Sequence, residues 1–144
     1  RSQAVAEGVS SHAGEIERLA RVAVEAPIVR EAVSRGRYWR ELYVGTPVGD
    51  RTLEGFIDLL VEGPDGLTVV DYKTDAATTD AEIDAAVARY RLQAAAYAVA
   101  VEGALGRPVT RCVFLFLRAA GSPAREIRDL AGAKAEVESV LASG

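Results

Sequence analysis

Length, composition and charge exclude several classes of protein. The chain has 144 residues, of which 49% are hydrophobic and 26% charged, so it can form a compact domain and is not intrinsically disordered. No apolar run approaches the roughly 20 residues of a membrane-spanning helix, and the N-terminus has no signal-peptide pattern. The net charge of −4 disfavours a surface that wraps nucleic acid, but it permits a small acidic site that acts on nucleic acid through metal ions.

Cysteine and methionine usage indicate the setting of the chain. The single cysteine, Cys112, excludes an internal disulfide framework and a cysteine-based metal site. This usage is typical of a reducing compartment, so we expect a cytoplasmic location. The chain starts at Arg1 and contains no methionine, so we expect a domain cut from a longer protein. Residues 1–144 contain no repeat or linker, which predicts one domain.

Hydrophobic periodicity and turn residues predict four helices and five strands. Pro27 separates the first two helices, residues 62–66 form a turn, and Thr79 with Glu82 resembles a capping box. In chain order we predict helices over residues 10–26 and 28–34, strands over 37–44, 52–61 and 67–73, a helix from 79 to about 105, strands over 109–117 and 124–128, and a final helix from 130. This order predicts an α/β fold in which helices flank a central mixed β-sheet.

The hairpin around residues 62–67 carries the most informative side chains. A four-residue loop pairs Glu62 with Leu67, Leu60 with Val69, Asp58 with Asp71, and Phe56 with Lys73. Alternation then places Asp58, Asp71 and Lys73 on one face of the sheet. Carboxylates directly opposite each other repel, and a divalent cation with oxygen ligands relieves that repulsion. Because an adjacent lysine can stabilise negative charge or orient water, the arrangement favours metal-assisted phosphodiester hydrolysis.

The alternative is that these are ordinary polar residues near a turn, with Lys73 a solvated neighbour. Both aspartates lie within apolar segments, Asp58 in residues 56–60 and Asp71 in residues 69–72. An ionised carboxylate in such surroundings is costly without a partner, which favours the metal site.

Three short motifs resemble a known family. They are residues 55–58 (Gly-Phe-Ile-Asp), residues 71–74 (Asp-Tyr-Lys-Thr), and residues 90–93 (Tyr-Arg-Leu-Gln) followed by Tyr97. In order and spacing they resemble the PD-(D/E)XK nuclease superfamily and, within it, the RecB/AddA nuclease domain at the C-terminus of bacterial helicase–nucleases. The resemblance covers about residues 39–101 and implies a restriction-endonuclease-like core.

The resemblance implies roles for the residues around the hairpin. Asp58 and Asp71 would bind the metal together with the backbone carbonyl of Tyr72. Lys73 would be the catalytic lysine. Glu41 matches an acidic residue on the preceding strand of these nucleases and would help to position metal or water.

The helix after the hairpin supplies the remaining candidates. Gln93, Tyr97 and Tyr90 share one helix face, which in the family faces the site and the DNA strand. For Tyr90, packing of the helix on the sheet is the alternative. The implied cofactor is Mg²⁺, with Mn²⁺ as a substitute. The implied partners are DNA, a second protein subunit and helicase domains of the same chain, with no membrane.

The chain departs from the family pattern at one position. RecB-type domains carry a metal-binding histidine upstream of the Gly-x-x-Asp motif. The only histidine here is His12, whose neighbours do not match and which lies close to Asp58 in sequence. A solvated histidine near a helix start is the simpler interpretation. No Gly-x-x-x-x-Gly-Lys-Ser/Thr loop occurs, so ATP chemistry does not reside in these residues.

Aromatic residues of an early strand form a further candidate surface. Tyr38, Trp39 and Tyr43 are of the type that stacks on nucleic-acid bases, although core or edge packing explains them more simply.

The leading hypothesis is a Mg²⁺-dependent deoxyribonuclease domain that supplies exonuclease activity to a helicase–nuclease in double-strand-break repair and recombination. One alternative is a catalytically inactive nuclease-like module for DNA binding or interaction. A second is a free-standing nuclease.

Overall fold

A computed structural model describes the backbone of residues 2–143 and the side chains of residues 13–143. In chain order the elements are α1 (Ser2–Glu25), α2 (Pro27–Arg35), β1 (Tyr38–Val48), β2 (Arg51–Glu62), β3 (Leu67–Lys73), α3 (Asp80–Leu105), β4 (Val109–Phe116), β5 (Ala124–Glu126) and α4 (Leu130–Ser143). The predicted order of elements is confirmed. Within the described residues, no helix is both long and apolar enough to cross a bilayer.

Two predicted element boundaries were wrong by more than two residues, and both lie in the first half of the chain. Helix α1 begins at Ser2 rather than at residue 10, because its Ala-rich first turns favour helix even without an apolar stripe. Strand β1 continues to Val48 although Gly45 and Pro47 indicated a break after Val44. Because β1 is an edge strand of the sheet, the missing N–H of Pro47 need not interrupt pairing.

The five strands form one mixed sheet in the order β1-β2-β3-β4-β5. All neighbouring strands are antiparallel except β3 and β4, which are parallel. A parallel pair needs a long crossover, and α3 provides it. The helix begins at the predicted capping box, in which the Thr79 side chain accepts from the Glu82 N–H, and it ends at Gly106 in the left-handed conformation. The predicted α/β fold with a mixed sheet is confirmed.

Each face of the sheet packs against its own helices. Buried residues on one face pack against α3: Ile57, Leu60, Leu67, Val69, Ile83, Ala98, Cys112, Phe114 and Phe116 belong to this cluster. On the other face α1 and α2 cover a second cluster that contains Leu19, Ala23, Val29, Leu59, Val70, Val113 and Leu115. Burial raises the pKa of the Cys112 thiol to about 12, so this cysteine is an uncharged core residue.

Helix α3 lies unusually close to β1 at one point. Gly103 faces Thr46, the one polar residue among the described buried positions. A Cβ atom at Gly103 would lie 2.3 Å from Thr46 Oγ1 and 2.9 Å from Thr46 Cβ. The absence of a side chain at Gly103 therefore allows α3 to pack this closely against β1.

Replacing Gly103 should destabilise the fold in spite of alanine's higher helix propensity. We expect Gly103→Ala to lower the free energy of unfolding by about 1–3 kcal/mol, because the added methyl forces α3 away from the sheet. Urea denaturation followed by circular dichroism measures this change.

Gly14→Ala is the matched control, since Gly14 also lies within a helix, α1. A Cβ there meets nothing within 4 Å among the described residues. This variant should gain about 0.5–1 kcal/mol from helix propensity. Equal stabilisation by both substitutions would contradict the close approach at Gly103.

Candidate active site

The open end of the β2–β3 hairpin brings together most of the predicted site residues. The predicted register is confirmed where the strands pair, at Glu62 with Leu67, Val61 with Thr68, Leu60 with Val69 and Leu59 with Val70. In the described hairpin, pairing ends at Leu59 with Val70. The predicted pairs Asp58–Asp71 and Phe56–Lys73 were therefore wrong. The backbone N–H of Tyr72 donates to Asp58 Oδ2 at 2.7 Å, so a side chain takes over a hydrogen bond at the point where the ladder opens.

The alternation of side chains reverses at Asp58. Ile57 belongs to the core beneath α3, whereas Leu59 belongs to the core beneath α1 and α2, although residues two apart in a regular strand share a face. Glu41 occupies the opposing position on β1 and has φ +51°. This left-handed conformation costs a non-glycine residue on the order of 1–2 kcal/mol and is typical of functional sites. The predicted common face therefore holds for Asp71 and Lys73, whereas Asp58 lies at the reversal itself, with its carboxyl beside that of Asp71.

Glu41 and Asp58 line a cavity of about 440 Å³ between the sheet and α1. Tyr72 and Arg40 line the same cavity, and apolar residues of α1, including Leu19, form its far wall. At the reversal, Asp58 thus borders this cavity while its carboxyl remains beside that of Asp71.

Asp71 and Lys73 lie on the α3 side of the same hairpin. The Lys73 Nζ atom is 3.0 Å from Asp71 Oδ2, and the two side chains are 11% and 15% exposed. Lys73 Nζ also donates to Gln93 Oε1 at 3.1 Å. Asp71 Oδ2 is buried and accepts no hydrogen bond from any described group, because the nearby ammonium is not aligned to donate. This oxygen is therefore ion-paired with the lysine but has no aligned hydrogen-bond donor among the described residues.

The Tyr90 ring on α3 fixes the position of the Lys73 ammonium group. Lys73 Nζ lies 3.7 Å from the centroid of the Tyr90 ring, which is cation–π geometry. The Tyr90 hydroxyl donates to Asp75 Oδ2 at 2.8 Å, and Arg89 Nη2 lies 3.3 Å from the same oxygen. Sequence reasoning missed Asp75. Its position two residues after Lys73 was the one available signal.

Tyr97 ties α3 to the Gly-x-x-Asp segment. A Cβ at Gly55 would lie 2.7 Å from Tyr97 Cε1, so the ring occupies the space that a side chain at Gly55 would fill. Burial raises the pKa of Tyr97, with a smaller contribution from the Asp71 carboxylate. The predicted helix face of Tyr90, Gln93 and Tyr97 therefore does lie toward the two aspartates.

The electrostatics of the two carboxylates explain why a cation fits. Burial raises the pKa of Asp58 to about 6; the Tyr72 N–H opposes this shift, and the Asp71 carboxyl adds to it. The described side chains contain no cluster of three or more His, Cys, Asp or Glu suited to a metal ion. The side chain of His12 lies outside the described residues. Two neighbouring aspartates, one with a buried oxygen that accepts no hydrogen bond from the described residues, still fit a hard cation that completes its shell with carbonyl, water or phosphate oxygens.

Replacing Asp58 should remove a pH dependence of stability. Because the folded-state pKa of Asp58 is raised to about 6 from 3.8, the folded protein binds more protons than the unfolded chain between these values. Stability therefore falls as the pH rises through that range. In EDTA, Asp58→Asn should lack this fall and be about 1–2 kcal/mol more stable than the wild type at neutral pH.

Urea denaturation at a series of pH values measures the effect. Asp50→Asn, in the exposed β1–β2 turn, is the matched control and should keep the wild-type pH profile. If Asp58→Asn retains the same fall in stability, the dependence originates elsewhere.

Comparison with curated proteins identifies relatives of the central segment. The chain is 42% identical over 80 residues to an ATP-dependent helicase/nuclease subunit of Desulforamulus reducens, and 47% identical over 79 residues to the protein of the same name in Desulforudis audaxviator. These alignments cover 53% and 54% of this chain but only 6% of each relative. The crystal structure of SSO0001 aligns with 92% of this chain and 69% of that chain, at 17% identity and a TM-score of 0.45, too distant to bear on fold or function.

A family model provides the broader match. The model described as PD-(D/E)XK nuclease superfamily matches residues 2–142, nearly the whole chain. The match includes all three motifs and the helices that pack on them. The chain belongs to the PD-(D/E)XK nuclease superfamily.

Proposed function

We propose that this chain is a metal-dependent deoxyribonuclease domain that hydrolyses phosphodiester bonds. The observation that carries the proposal is the meeting of Asp58, Asp71 and Lys73 at the open end of the hairpin, where one buried oxygen of Asp71 accepts no hydrogen bond from the described residues. Membership of the nuclease superfamily supports this function. A binding module without turnover would not need a lysine beside two partly buried carboxylates, an arrangement that is costly without a function.

Asp58 and Asp71 are the residues that would hold Mg²⁺, or Mn²⁺ in its place, together with the backbone carbonyl of Tyr72. A bound Mg²⁺ would neutralise phosphate charge and lower the pKa of a water molecule. Glu41 lines the cavity that leads to Asp58 and is placed to orient that water from the α1 side. Turning the Glu41 carboxylate into the cavity then requires the left-handed backbone conformation, which is energetically unfavourable.

Lys73 is the cationic side chain of the proposed site. Its ammonium group would stabilise the negative charge that grows on the phosphate oxygens during attack. Gln93 and Tyr90 hold the ammonium in place from α3, so Lys73 does not have to be ordered when the substrate arrives. Gln93 and Tyr97 border the same space and would contact the DNA strand.

The relatives suggest a larger setting. Both carry the name of an ATP-dependent helicase/nuclease, and this chain matches only a short stretch of each. We infer that the domain works with helicase domains and with a second protein chain, as an exonuclease in double-strand-break repair and recombination in the cytoplasm. The net charge of −4 fits such a division of labour, since DNA would be held mainly by other parts of the assembly.

Cleavage of end-labelled linear DNA tests the proposed function. With Mg²⁺ or Mn²⁺ we expect cleavage that EDTA stops and that Lys73→Ala slows by about a hundredfold or more, because charge stabilisation at the phosphate is lost. Single- and double-stranded substrates, assayed in parallel on gels, report the preferred form.

Lys134→Ala is the matched control, because Lys134 is the other of the two lysines in the sequence. Lys134 binds Glu102 at 2.9 Å and the Val109 carbonyl at 3.3 Å, at the opposite end of β4 from the site. This variant should keep wild-type cleavage. Metal-independent DNA binding without any cleavage by the wild type would instead favour an inactive binding module.

Two substitutions at Tyr90 separate lysine positioning from DNA binding. Tyr90→Phe keeps the ring beneath Lys73 and should keep kcat within a few-fold. Tyr90→Leu removes the cation–π contact and should lower kcat about tenfold with KM unchanged. Steady-state kinetics on a short oligonucleotide measures both parameters. A rise in KM with kcat unchanged would show that Tyr90 contacts the substrate instead.

A further inference from the structure

Two aromatic rings on the β1–β2 hairpin lie exposed although they contact each other. Tyr43 and Phe56 are cross-strand neighbours. Their ring centroids are 5.3 Å apart, with the planes inclined by 57°. Tyr43 is 52% exposed and Phe56 69% exposed. The Tyr43 hydroxyl donates to Glu54, which holds the ring in place. Exposed apolar side chains are common on protein surfaces, but two rings held in contact form a small continuous apolar patch that a ligand can cover.

The pair lies on the sheet face that carries the acidic cavity. Ile57 and Val44, their immediate neighbours in sequence, pack beneath α3. Tyr43 and Phe56 therefore point to the opposite face. Asp58 follows Phe56 by two residues, about 6–7 Å along the strand. A nucleic-acid strand with a phosphate at Asp58 would place an adjacent base within reach of these rings.

We propose that Tyr43 and Phe56 form a stacking platform for the base next to the scissile phosphate of an unpaired DNA strand. This inference rests on the proposed nuclease function. Base stacking on aromatic rings needs only the flat face of a base, which only an unpaired nucleotide offers.

The charges around the platform match the two parts of a nucleotide. Arg40 lines the cavity on the other side of Asp58 and is a cation available to phosphate. Glu54, beside the rings, would repel a phosphate but not a neutral base. The strand thus has one direction of charge complementarity, with phosphates toward Arg40 and the cation that Asp58 would hold, and a base over the rings.

The size of the patch favours a base over a protein partner. Two aromatic side chains offer about 150–250 Å² each. A stable protein interface buries about 800 Å² on each partner. Two rings thus match one or two bases and fall well short of a protein interface.

Abasic substitution in the DNA, combined with mutation of the platform, tests the proposal. The substrate is a 5′-labelled single strand in which one nucleotide at a time is replaced by a tetrahydrofuran abasic residue, and gels resolve the cleavage rate at each linkage. For the wild type we expect a roughly tenfold loss of rate at the linkage beside the abasic residue. Phe56→Ala should lose about the same factor on the natural strand and show no further loss with the abasic strand.

Trp39→Ala is the matched control, because Trp39 is an exposed aromatic residue on β1 but lies on the opposite face. It pairs with Leu60, which packs beneath α3. This variant should keep both the wild-type rate and the sensitivity to the abasic residue. Circular dichroism and urea denaturation verify that each variant is folded.

The outcomes separate this inference from the function on which it rests. If the wild type cleaves DNA and Phe56→Ala keeps either the wild-type rate or the wild-type abasic sensitivity, the platform is overturned and the nuclease function still stands. No cleavage by the wild type would overturn both.

Discussion

The structure depends on how two carboxylates are kept close together at the point where a β-hairpin opens. Asp58 and Asp71 would repel across a regular ladder, and the ladder stops one residue before they meet. The Tyr72 N–H binds one carboxylate, and the Lys73 ammonium lies beside the other. These contacts reduce the repulsion without removing it, because the Asp71 carboxyl still raises the pKa of Asp58 and one buried oxygen of Asp71 has no hydrogen-bond donor among the described residues. The remaining imbalance is what a divalent cation would remove.

The reversal at Asp58 and Glu41 gives this centre access from both faces of the sheet. Asp71 and Lys73 lie toward α3, where Gln93 and Tyr90 hold the lysine. Glu41 and Asp58 turn toward the cavity beside α1. The cavity therefore gives access to Asp58 from the α1 side, while the protein's own cation is fixed from the α3 side. In a regular sheet all three hairpin side chains would crowd onto one face, against the core.

Sequence predicted the features that follow from local chemistry. The capping box at Thr79, the turn over residues 62–66 and the paired register near Leu60 each depend on a few adjacent residues, and each is confirmed. The reversal at Asp58 was not predictable, because the alternation rule assumes an unbroken ladder. Nor was the role of Asp75, since its partner Tyr90 lies 15 residues away on another element. Tertiary contacts, not propensities, decide such positions.

The three short motifs form one packing unit, which helix α3 holds together. Gly55 leaves room for the Tyr97 ring, Lys73 donates to Gln93, and the segment after Lys73 is anchored through Asp75. Each contact joins a strand motif to the same helix at a different turn. A shift of α3 along its axis would therefore displace the lysine, its partner amide and the Gly-x-x-Asp strand together. Gly103, near the far end of α3, sets the depth of the helix on the sheet and so contributes to the geometry of a site that it does not touch.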